Sequence, residues 1–158
     1  MLETPRAVLD ADAIAGASDR LSLLVMGTND LATELGVEQV PGPHTLLAAL
    51  GMCLLAARAH GKAIVDGVYN TVTDEAGFEA ECLQGRQLGF DAKTLIHPRQ
   101  VDVCNRVLAP TPEQVADARA VLAAWEEALA HGRGVVTVER ADGRDPARGR
   151  RPTPHRRP

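Results

Sequence analysis

The chain has 158 residues, of which 45% are hydrophobic and 24% charged, and its net charge is −4. Size and balance fit one globular domain, with a core of Ala, Leu and Val because aromatic residues make up only 3%. A membrane-spanning helix is excluded, since the longest apolar stretch, Leu46–Ala57, falls short of the ~18 residues a span needs, and the acidic balance argues against nucleic-acid binding.

Met1-Leu2-Glu3 reads as the end of a strand tipped by an acid. Thr4 then caps a helix with Pro5 at its first position, and Val8, Leu9, Ile14 and Ala15 supply its apolar face. Leu21–Met26 is a continuous apolar run, the pattern of a strand buried on both faces. It ends in Gly27-Thr28-Asn29-Asp30, and a short helix is expected near 31–36. A Pro-Gly-Pro loop at 41–43 leads to a strongly apolar helix at about 45–60, stopped by Gly61. Residues 62–68 read as the next strand. Asp74 caps a helix whose inward residues are Phe78, Cys82 and Leu88 and which ends at Gly89. Residues 92–96 form another strand, closed by His97-Pro98. Thr111-Pro112-Glu113-Gln114 combines a cap, a first-position Pro and a third-position Gln. The stripe behind it is Val115, Ala118, Leu122, Trp125 and Leu129, with Trp125 expected in the core. Residues 134–138 suggest a short final strand. Residues 139–158 hold seven Arg against Glu139, Asp142 and Asp145, so this segment is +4 and the remainder −8. Its Arg, Pro and Gly content reads as a disordered tail. Cys53, Cys82 and Cys104 form no CxxC pair and read as reduced packing residues. With no secretory-signal pattern at the start, a cytoplasmic location is expected.

Strands at 1–3, 21–26, 62–68 and 92–96, joined by helices, make a parallel sheet with right-handed crossovers. Four βα units are half of an eight-stranded barrel, which takes about 250 residues; a small open sheet is the alternative. In such barrels the chemistry sits at the C-terminal ends of the strands. Those positions here hold Glu3, Thr28-Asn29-Asp30, Asp66 and His97. Mg²⁺ takes oxygen ligands and keeps several waters, so two carboxylates suffice, and Glu3 and Asp30 are the candidate pair. Strand-end acids also serve as helix caps or solvated loop charges, and the pattern alone leaves both readings open. Asp66 also fits a buried acid held by backbone amides, His97 a turn-holding residue, and Lys93 points along its strand to either end. No dinucleotide fingerprint or P-loop is present.

Glu3-Thr4-Pro5 and Gly27-Thr28-Asn29-Asp30-Leu31 resemble the two metal-ligand segments of the citrate lyase β-subunit / malyl-CoA lyase family, within the HpcH/HpaI aldolases. The segments Asp66–Asn70, Asp74–Phe78, Gly85–Lys93 and Leu95–Val101 are similar to the CoA-ester lyase branch over nearly their whole length. The resemblance covers residues 1 to about 138 and corresponds to the C-terminal part of a family member. It implies a (β/α)8 TIM barrel of which residues 1–138 are the C-terminal half, about four βα units and a C-terminal helix, followed by the tail at 139–158. It further implies Mg²⁺ and cleavage or formation of a C–C bond in a 3-hydroxy-acyl-CoA of the malyl-, citramalyl- or citryl-CoA type. Glu3 and Asp30 take the metal-ligand roles, the backbone around Asn29 touches substrate, and the loop with Thr71 and Val72 lies along the CoA arm. A homo-oligomer is implied where the full barrel is present.

Departures from the family pattern accompany the likeness. No Arg here matches the substrate-gripping Arg of the family's N-terminal half, and the sequence changes character after Val138, as a reading-frame change would make it. The chain is therefore expected to be truncated and inactive alone. The alternatives are a class II pyruvate-type aldolase, which uses a similar Glu/Asp pair, and a non-catalytic half-barrel with two exposed strand edges.

Overall fold

The computed structural model describes residues 1–38, 44–131, 136–138 and 147–149. They fall in two compact units, Met1–Ala109 and Pro110–Pro158.

The first unit is an α/β layer. Thr4 caps α1 (Pro5–Leu9), its hydroxyl accepting the Ala7 N–H at 3.0 Å, and a break at Asp10 separates α1 from α2 (Ala11–Gly16). Then come β1 (Leu23–Val25), α3 (Thr28–Leu35), a 3₁₀ turn at His44–Leu46, α4 (Leu47–Ala59), β2 (Ala63–Asp66), α5 (Glu75–Leu88), β3 (Ala92–Lys93) and α6 (Gln100–Leu108). The three strands are parallel and pair in chain order, with Leu24 opposite Ile64 and Val65 opposite Ala92. The expected strand at 1–3 is a single parallel bridge, Leu2 to Met26, held by Leu2 N–H to Val25 O at 2.8 Å and Gly27 N–H to Leu2 O at 2.9 Å.

The run 21–26 is not buried on both faces. Leu24 and Met26 are buried, as is Ile64 opposite, whereas Leu23 is 43% exposed. Side chains alternate across a strand, and among the described residues the buried side chains of this sheet lie on one side. On that side Leu2, Leu24, Met26 and Ile64 pack with Val8 and Ala15 below and with Leu50 and Cys53 of α4. Each large aliphatic side chain buried this way contributes about 1.5–3 kcal/mol. A second cluster lies between α5 and α6, built from Phe78, Cys82, Val103, Cys104 and Val107. Leu88, expected inward, is 37% exposed; the buried face of α5 runs Phe78, Cys82, Gly85 instead, following the i, i+4, i+7 line. All three cysteines are buried free thiols, and burial pushes Cys53 up to about 11 and Cys82 up to about 12.

The second unit holds α7 (Pro112–Ala130) and an antiparallel pair, β4 (Val136–Val138) with β5 (Ala147–Gly149). Its first turn is a reciprocal cap: Gln114 N–H donates to Thr111 Oγ1 at 3.2 Å and Thr111 N–H to Gln114 Oε1 at 2.9 Å. Of the expected apolar stripe, Val115 is half-buried and Ala118 exposed, while the Leu129 side chain lies outside the described residues. Trp125 is half-buried and Leu122 is 49% exposed. Residues 139–158, expected to be disordered, lie almost wholly outside the described residues; the three that are described form β5. Among the described residues no helix is long and apolar enough to cross a membrane.

Candidate active site

The C-terminal ends of the strands meet as one rim, each loop touching the next. Glu3, half-buried, lies over Gly27, where an added Cβ would sit 2.8 Å from Glu3 Oε2 and against its Cβ. Gly27 therefore provides the space that the Glu3 side chain occupies. Thr28 opens α3 and packs on Gly67 at the end of β2, with no room there for a Cβ. Asn29 pairs with Asn70, and Gln100 at the start of α6 donates to the Tyr69 carbonyl at 3.0 Å.

Asp30 is exposed in the first turn of α3, where a negative charge is favoured by the helix dipole. Among the described residues neither Glu3 nor Asp30 has a side-chain hydrogen bond or ion pair. Two carboxylates without protein partners are a donor set that fits Mg²⁺, which fills most of its octahedron with water. No group of three His, Cys, Asp or Glu gathers to hold a metal among the described residues, so a softer, all-protein site is not built here. Thr71 is exposed and Val72 half-buried, in a turn closed by Asp74 N–H to Thr71 O at 3.0 Å.

Asp66 does not reach the rim. It shares the face of Ile64, pointing between the sheet and α5, where Lys93 Nζ donates to Asp66 Oδ2 at 2.8 Å and to Glu81 Oε1 at 2.7 Å. Its other oxygen accepts the Gly67 N–H at 2.8 Å, the backbone-held acid that the sequence left as one reading. Burial alone would lower the Lys93 pKa, but the charges and hydrogen bonds of Asp66 and Glu81 outweigh it and hold the ammonium above the usual lysine range. His97 is the turn-holder: its Nδ1 accepts the Arg99 N–H at 3.1 Å and its carbonyl accepts the Gln100 N–H at 3.0 Å.

Sequence reasoning missed Gln100, Asn70 and Glu81. Gln100 is only 3% exposed and satisfies both ends of its amide, since Ile96 N–H donates to its Oε1 at 3.0 Å. A polar residue following His-Pro-Arg carries no periodic signal of burial. Glu81 lies one residue before Cys82, on the inward side of α5, and that placement was the available clue.

Fold and rim together define a parallel α/β protein with an open pair of strand-end carboxylates. Residues 1–98 match the HpcH/HpaI aldolase/citrate lyase family, and the chain belongs to that family. It is 55% identical over 139 residues to the (3S)-malyl-CoA thioesterase of Cereibacter sphaeroides, covering 88% of this chain and 48% of that protein. To citrate lyase subunit beta of Leuconostoc mesenteroides subsp. cremoris it is 40% identical over 137 residues, covering 87% and 45%. The solved structure of the protein CitE from Mycobacterium tuberculosis, in complex with magnesium, acetoacetate and coenzyme A, superposes with a TM-score of 0.68 at 28% identity, over 94% of this chain and 54% of that one. The chain spans about half the length of the curated relatives it matches.

Proposed function

We propose that this chain carries the metal-binding part of a Mg²⁺-dependent carbon–carbon lyase acting on a 3-hydroxy-acyl-CoA of the malyl-CoA type. The observation that carries the reading is the half-buried Glu3 carboxylate, unpartnered over Gly27, on the same rim as Asp30. Glu3 and Asp30 would hold the cation. When bound, Mg²⁺ supplies Lewis-acid stabilisation of the oxygen that becomes a carbonyl as the C–C bond breaks. The backbone at Asn29 orients the acid portion, and the turn with Thr71 and Val72 lines the coenzyme A arm.

The architecture supports a barrel of which residues 1–138 are the C-terminal half, with 139–158 as a tail. The strands pair in chain order without reversal, and among the described residues the buried side chains of the sheet lie on one face. A doubly wound sheet reverses its order and is covered on both faces; a closed barrel leaves the second face to line its interior.

Magnesium titration by calorimetry tests the site. Glu3→Gln and Asp30→Asn are each expected to weaken Mg²⁺ binding at least tenfold, about 1.4 kcal/mol; unchanged affinity in both variants would sink the assignment.

A second reading, thioester hydrolysis, is favoured by the 55% identity to a malyl-CoA thioesterase. Products separate the two. Retro-aldol cleavage of malyl-CoA yields glyoxylate and acetyl-CoA, whereas hydrolysis consumes water and yields malate and free coenzyme A. The lyase reading expects acetyl-CoA from a protein that contains this rim in a complete barrel. A pyruvate-type aldolase would act without the CoA arm, and the thioester-named relative weighs against it.

A further inference from the structure

Asn29 and Asn70 face each other across two strand-end loops and exchange both amide hydrogen bonds. Asn29 Nδ2 donates to Asn70 Oδ1 at 3.1 Å and Asn70 Nδ2 to Asn29 Oδ1 at 2.8 Å. Each residue adjoins a different half of the proposed site: Asn29 precedes Asp30, and Asn70 precedes Thr71 and Val72.

Neither partner hangs on a loose tether. Behind Asn70, the Tyr69 carbonyl is gripped by buried Gln100, and the Tyr69 hydroxyl donates to Asp74 at 2.6 Å. The Tyr69 ring packs on Phe78 with centroids 5.9 Å apart, and Val72 N–H closes on the Asn70 carbonyl at 3.1 Å. On the other side, Asn29 lies in the first turn of α3, and its carbonyl accepts the Thr33 hydroxyl at 2.9 Å. A reciprocal amide pair has strict geometry, so it holds only when both backbones are in register. A ligand that orders one loop then favours the pair, and the pair favours the ordered form of the other loop.

We propose that Asn70 is a positioning residue, and that the Asn29–Asn70 pair couples cation binding at Glu3 and Asp30 to binding of the coenzyme A arm beside Thr71 and Val72. This rests on the function proposed above. Two solvent-exposed neutral hydrogen bonds limit the coupling to about tenfold, and linkage makes it reciprocal: coenzyme A tightens Mg²⁺ by the factor that Mg²⁺ tightens coenzyme A.

The test is calorimetry on the full 158-residue chain, titrating magnesium chloride alone and in the presence of saturating free coenzyme A. In the wild type, coenzyme A is expected to tighten Mg²⁺ by about three- to tenfold. In Asn70→Ala each ligand alone binds within about twofold of wild type while the coupling factor falls to about one. An Asn70→Ala variant that keeps the wild-type factor overturns the inference, as does a wild type that binds both ligands independently. A wild type that binds neither ligand overturns the functional reading, and this inference with it. A ligand-free arm uses amide hydrogen exchange: Asn70→Ala should speed exchange at residues 28–33 and leave β1 unchanged. Unaltered exchange at 28–33 would show that the pair braces nothing.

Discussion

A methyl group on Gly67 has nowhere to go. It would meet Thr28 Cβ at 2.8 Å and overlap the rest of that side chain. Gly67→Ala is therefore expected to cost about 1–3 kcal/mol in urea unfolding, the usual range for overpacking. Thr28→Ala in the same chain removes the two nearer atoms but keeps the Cβ, so it should recover part of that loss; no recovery would place the strain elsewhere. Lys93 is the other residue with little slack. Its side chain is 2% exposed between Asp66 and Glu81, so Lys93→Met would leave two carboxylates without their cation and cost about 3–5 kcal/mol. Because the folded state holds this proton more tightly than the unfolded chain, the stabilisation is complete below the ordinary lysine range and is lost as pH rises through the raised value. Denaturation followed upward from pH 9 should show that alkaline loss. At the acid end the sign reverses. The Tyr69 hydroxyl, and then the Gly77 N–H, hold Asp74 below the usual carboxylate range, so its contribution is present above that range and lost as pH falls. Asp74→Asn keeps a cap acceptor but should flatten this acid-side dependence of the melting temperature.

Among the elements, the helices with side-chain caps follow the sequence closely. Thr4, Asp74 and the Thr111–Gln114 box all cap as their residue types require. Gly89 ends α5 at φ 108°, a conformation that penalises a Cβ. Gly89→Ala should therefore destabilise by about 1 kcal/mol, read as a lower urea midpoint at constant m-value. Helix α6 is the element that sequence reading missed. Its N-cap is Arg99, with no side-chain cap bond, so the strongest start signal is absent and only Asp102 in the first turn marks the beginning. Its apolar residues Val103, Cys104 and Val107 do have helical spacing, and that was the surviving clue. The strands are shorter than their apolar runs because pairing, not hydropathy, sets where a ladder ends. Leu21 and Ser22 extend the run before β1 without joining the ladder of β1 itself.

At the scale of the whole molecule, a sheet with one covered face and about half the length of the relatives leads to a specific expectation for activity. Malyl-CoA or citramalyl-CoA incubated with the 158-residue chain alone should release negligible acetyl-CoA, and turnover at ordinary enzyme rates of about 1–10³ s⁻¹ would refute the half-barrel reading. The sequence by itself determined the order of βα units, most helix ends and the two candidate metal carboxylates, because caps, glycine stops and strand-tip acids are local signals read within a few residues. Only the tertiary structure decided which face of each strand is covered, that Asp66 turns toward Lys93 and Glu81 and away from the rim, and that Asn70 and Gln100 lace the strand-end loops together. Those outcomes depend on partners 12 to 41 positions apart in the chain. No local pattern encodes such a pairing; it exists only once the strands lie side by side.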